Sequence, residues 1–73
     1  MLYANEKDIK RCQTLVRKMV KVREIKLSDE IIKMVKSDIM NITYATGRDY
    51  SDSTLTSHVN TYIDKKMYQK FFN

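Results

Sequence analysis

The sequence predicts a mainly α fold, a small domain of three helices, and three observations carry that expectation. The chain has one glycine and no proline in 73 residues, too few breakers for the tight turns of a many-stranded β fold. Apolar residues recur at intervals of three and four in separate stretches, the spacing that lines one helical face. Short polar residues stand at the start of these stretches, where a side-chain oxygen can accept from first-turn N–H groups. The 42% hydrophobic content supplies a core, but a thin one at this length. A partner or a second copy of the chain, that is a homodimer, is therefore a reasonable expectation.

The first helix is expected over residues 6–22. Asn5 is its N-cap, and Glu6 and Asp8 place negative charge at the positive end of the helix dipole. Ile9, Cys12, Leu15 or Val16, Met19 and Val20 form its apolar stripe, opposite Lys10, Arg11, Thr14, Arg17, Lys18 and Lys21. Residues 22–27 leave two options open, a short strand or a linker. A second helix is expected over 28–46, with Ser28 at its start and Ile31, Ile32, Val35, Ile39 and Ile42 on its buried face. Gly47 reads as the terminator of that helix, in a conformation of positive φ. The third helix is expected over 53–71, capped by Asp52 or Ser53, with Leu55, Val59, Tyr62 and Ile63 buried. Tyr68, Phe71 and Phe72 then give an aromatic end that packs on the rest of the fold or on a second subunit. No repeat, low-complexity tract or Gly/Ser linker divides the chain, so residues 1–73 read as one domain.

Charge is unevenly placed. The net charge is +5, and between Lys10 and Arg23 there are six basic residues and no acidic one. From Ser37 to Asn73 four acids balance four bases. A positive field confined to one part of the chain points to an anionic partner, most simply nucleic acid, with an acidic protein as the alternative. The lone Cys12 excludes an intramolecular disulfide and sits on the apolar stripe, where it reads as a small core residue. No signal-like run follows Met1, so a reducing, cytoplasmic setting is expected. No apolar stretch approaches membrane-spanning length, so no membrane partner is expected.

The residues argue against catalysis. One histidine, His58, and one cysteine cannot build a zinc site of the usual ligand set within one chain, so neither a metal nor another cofactor is expected. One glycine cannot make a phosphate-binding loop. Asp49 and Asp52 flank a turn and read as turn and capping residues. Ser57 and His58, adjacent on a helix, point about 100° apart and make no dyad.

The stretch SDSTLTSHVNTYIDKKMYQK, residues 51–70, is the most informative in the chain. Opposite its apolar face lie Thr54, Ser57, Asn60 and Thr61, short side chains that donate and accept without charge. Such a face suits base edges in a nucleic-acid groove. From Ile42 onward the chain resembles the helix-turn-helix of bacterial winged-helix regulators of the MarR and ArsR families. Their pattern is S-x-S-T-V-S-R-H-L-x-x-L-x-x-K-G-L. Ser51, Ser53, Thr54, Leu55, Thr56, His58, Val59, Tyr62, Lys65 and Met67 occupy matching places.

The resemblance implies a tri-helical helix-turn-helix that binds double-stranded DNA as a transcriptional regulator or a small phage- or plasmid-type protein. Ser53, Thr54, Ser57, Asn60 and Thr61 would then face bases. Lys10, Arg11, Arg17, Lys18, Lys21, Arg48, Lys65 and Lys66 are the candidate phosphate ligands. A second resemblance, of VREIKLSDEIIKMVK and the following ATGRDYSDSTLTSHVNTYI, is to ribbon-helix-helix repressors. It implies a dimer whose paired strands carry Glu24 and Lys26 into the groove. A third reading is a helical protein-interaction module, an inhibitor or adaptor that docks its basic first helix on an acidic protein.

Overall fold

The computed structural model describes residues 4–72. They form α1 (Glu6–Val22), α2 (Asp29–Ala45), α3 (Asp52–Asp64) and a 3-10 helix (Met67–Phe72), with no strand among the described residues. Each α-helix begins on a side-chain cap. Asn5 accepts from the Asp8 N–H while the Asp8 carboxylate accepts from the Asn5 N–H, a reciprocal capping box. Ser28 caps α2 by accepting from Ile31. Ser51, one or two residues earlier than expected, caps α3 by accepting from Thr54. Asp52 instead enters the first turn, where its charge meets the positive end of the dipole.

The helix ends share one device. After α1 the chain passes through Glu24 at φ 57°, and the Ile25 N–H bonds back to the Val20 carbonyl at 2.9 Å. After α2 it passes through Gly47 at φ 130°, and the Arg48 N–H bonds to the Thr43 carbonyl at 2.8 Å. These are Schellman-type closures, which satisfy the last carbonyls and reverse the chain. Residues 23–28 are thus a turn and a linker, and the strand left open for 22–27 does not form. Glu24 lies in the left-handed region here and not in the extended conformation of a strand.

The third helix stops at Asp64, well before the expected residue 71. Lys65 caps it, and Lys66 takes φ 55°. Neither glycine nor proline marks the break. Its cause is long-range: the reversal lets the 3-10 helix bring Tyr68 onto the core, 6% exposed, and set Lys70 against Asp38 on α2.

The core joins all four elements. Cys12, Val16 and Val20 of α1 meet Ile32, Val35 and Ile39 of α2 and Leu55, Val59, Tyr62 and Ile63 of α3, closed by Tyr68. Leu15, Met19, Ile31, Ile42 and Phe71 pack partly buried around it, whereas Phe72 and Val22 are exposed. Arg11 pairs with Asp52 and Arg23 with Asp64. The two arginines and the two aspartates are each twelve residues apart, so α1 and α3 run parallel, side by side. Thr43 contacts His58 and Asp38 contacts Tyr62, so α2 runs antiparallel to α3.

A left-handed conformation costs an L-residue about 1–2 kcal/mol, part of which glycine returns to the unfolded chain as entropy. Glu24→Gly and Lys66→Gly are therefore each expected to stabilise the domain by up to about 1 kcal/mol, raising Tm by about 4–8 °C. Thermal unfolding followed by circular dichroism measures this, and a lower Tm in both variants contradicts the assignment.

Candidate nucleic-acid interface

The open side of α3 is a shallow polar surface lined by Asp52, Ser53, Thr56, Ser57, Asn60 and Thr61. Of the five residues expected to face bases, Ser53, Ser57 and Thr61 are exposed and Asn60 is half-buried on the side toward α1. Thr54 is half-buried and engaged elsewhere. Its hydroxyl donates to the Asp49 carboxylate and its N–H bonds to the Ser51 hydroxyl, so it belongs to the turn before α3. Thr56 lines the same surface and was not among the expected residues. Its three-residue offset from Ser53 and four-residue offset from Asn60 are the signal that places it there.

The candidate phosphate ligands divide into two groups. Lys10, Lys18 and Lys21 are exposed along the outer side of α1, with no ion pair among the described residues. Lys7 continues the stripe one turn earlier and is also exposed. From Lys7 to Lys21 the stripe spans about 21 Å. Lys65 and Lys66 lie exposed at the end of α3, beside the end of α1, and Arg48 lies exposed at the α2–α3 turn. The Arg48 guanidinium sits 4.6 Å from the centre of the Tyr44 ring, a cation–π contact.

Arg11 and Arg17 are engaged internally. Arg11 donates to Asp8 at 2.9 Å and to the Tyr50 carbonyl. Its Nε lies 2.7 Å from Asp52, a charge contact without hydrogen-bond alignment. This guanidinium holds the α2–α3 turn against α1. Arg17 pairs with Asp29 at 3.0 Å, and both side chains stay largely exposed. Such a pair contributes about 0–1 kcal/mol, so Arg17 can exchange Asp29 for another anion at little cost.

Arg23 completes the surface. It is the C-cap of α1, donating from Nε to Asp64 at 3.1 Å and from Nη2 to the Asn60 Oδ1 at 3.0 Å. The three aspartates along the α1–α3 seam, Asp8, Asp52 and Asp64, are therefore each held by an arginine.

The remaining titratable groups are structural. Burial pushes the Cys12 thiol up to about 11, against the opposing charge of Lys36, so it is no nucleophile near neutral pH. The Thr43 hydroxyl donates to the Ile39 carbonyl at 2.9 Å, leaving its oxygen to accept from His58 Nδ1 at 2.8 Å. This assigns the Nδ1–H tautomer to His58 and makes it a link between α2 and α3. No group of three His, Cys, Asp or Glu side chains gathers in metal-holding geometry among the described residues. No helix among them is long and apolar enough to cross a membrane.

Two carboxylates respond to pH. Burial works to raise the Asp38 carboxyl, but hydrogen bonds from Lys70 and Tyr62 and the Lys70 charge outweigh it and hold it below its usual range. The Asp49 carboxyl is lowered by the Thr54 hydroxyl and by Ser51. A depressed folded-state value means stability that is present above the unfolded value and lost as pH falls through the folded one. The stability gap between the native chain and Asp38→Asn is expected to be widest near neutral pH and to narrow below about pH 4. Denaturant titrations across that range measure it, and a gap constant with pH contradicts the assignment.

Comparison with protein-family models, with curated proteins and with solved structures finds no match to this chain.

Proposed function

We propose that the domain binds double-stranded DNA, with the outer stripe of α1 on phosphates and the open side of α3 toward base edges. One observation carries the reading. The lysines of α1 are exposed without carboxylate partners, while the aspartates bordering α3 are each held by an arginine. The result is a cationic strip beside a hydroxyl and amide face whose bordering carboxylates, Asp52 and Asp64, are each paired with an arginine. A polyanion gains from the first, and donors and acceptors on the second can meet bases. The face itself lacks arginine and glutamine, so affinity rests on the lysines and readout is modest.

The runner-up is docking of the same strip on an acidic protein. Val22, 69% exposed next to Lys18 and Lys21, favours it, because an apolar side chain finds no partner on a phosphate backbone.

Four lysines on phosphates predict a plot of log K against log salt with a slope of about −3.6 on duplex DNA. Lys18→Ala should weaken all sequences alike and reduce the slope by about 1, whereas Ser57→Ala should shift sequence preference. Fluorescence anisotropy on a panel of duplexes measures both. No duplex binding at low salt rejects the reading in favour of the protein partner.

A further inference from the structure

We propose that Arg23 is a positioning residue that makes Asn60 a donor-only reader and directs α3 toward guanine or thymine edges. The inference rests on the DNA-binding reading and adds a base class to it. An unrestrained asparagine offers one acceptor and one donor side by side, the pair that matches N6 and N7 of adenine. Asn60 is restrained. A guanidinium can only donate, so the atom 3.0 Å from Arg23 Nη2 is the carboxamide oxygen, which settles the orientation of the amide. The nitrogen, with its two N–H donors, has no partner among the described residues, and Asn60 lines the surface formed with Asp52, Ser53, Thr56, Ser57 and Thr61.

Arg23 is itself held. Its Nε donates to Asp64, its side chain is 30% exposed, and it sits at the end of α1, closed by the Ile25 bond to Val20. Swinging the fork away would break both its Asp64 and its Asn60 bonds. With the oxygen engaged by Arg23, Asn60 has donors alone to offer a ligand. In the major groove, acceptors without an adjacent donor on the same base are guanine O6 and N7 and thymine O4. Asp64 and Arg23 cancel each other's charge, so the arrangement directs a neutral amide without adding a cation that would bind any sequence.

The test is selection from randomised duplexes with the full chain and with Asn60→Ala, Arg23→Ala and Arg23→Lys, each checked for a cooperative thermal transition. The native chain should prefer guanine or thymine at one position by roughly 5- to 100-fold. Asn60→Ala should abolish that preference. Arg23→Ala frees the Asn60 oxygen and should move the preference toward adenine, an outcome that loss of stability alone cannot produce. Arg23→Lys, which keeps a donor, should retain the native preference. A native preference for adenine, or an unchanged preference in Arg23→Ala, overturns the proposal while leaving DNA binding standing. Absence of salt-dependent duplex binding by the native chain overturns both.

Discussion

The side of α3 that faces outward is decided by the burial of Leu55, Val59, Tyr62 and Ile63, and two arginines mark the register in which that stripe lies against α1. Arg11 and Arg23 are twelve residues apart and clamp Asp52 and Asp64, which are separated by the same interval. A shift of one residue would turn every side chain of α3 by about 100° and move Ser57 or Thr61 into the seam. The same shift would carry Leu55, Val59, Tyr62 and Ile63 out of the core, so burial and the arginine pairs select one register together. Parallel neighbours also set like ends of their dipoles side by side. Arg23 lies where both α1 and α3 end negative, and Asp8 and Asp52 lie where both begin positive.

The side chains divide labour by type. All four arginines make directed contacts: three to carboxylates and one over an aromatic ring. The lysines of α1 make none. A guanidinium carries a planar fork suited to fixed geometry, whereas an ammonium on a flexible stem stays hydrated and mobile. Counting all basic residues of the first helix as one field therefore overstates what an anion meets there. The lysines form the available part, and the arginines form the frame.

Much of the fold was legible in the sequence because its signals are local. Asn5 with Asp8 and the Cys12, Val16, Val20 stripe define α1 to within a residue, and Gly47 marks the end of α2. The end of α3 was not legible, because Lys65 and Lys66 are ordinary helical residues. Only the distant pull of Tyr68 into the core and Lys70 onto Asp38 breaks the helix there. The same distinction runs through the candidate site. Exposure of Ser53, Ser57 and Thr61 follows from periodicity. The diversion of Thr54 to Asp49, and of Arg11 to Asp8 and Asp52, depends on partners brought together by the turn before α3. The resemblance to a helix-turn-helix draws on the stretch from Ile42 onward, with its matching places between Ser51 and Met67. Contacts between α2 and α3, Thr43 with His58 and Asp38 with Tyr62, join residues far apart in the chain and had no local signal.

Thr43 and His58 form a contact between α2 and α3 in which a hydroxyl, 1% exposed, accepts from an imidazole across the interface. A core of short branched side chains admits several packings of similar energy. Together with the Tyr62 bond to Asp38, this directional contact narrows that choice, since sliding α2 against α3 breaks both. Its contribution is one of uniqueness more than of depth: it selects one arrangement from a family of near-equals. In a domain with so few layers, each such contact across the interface counts toward a single ground state beneath the exposed side of α3.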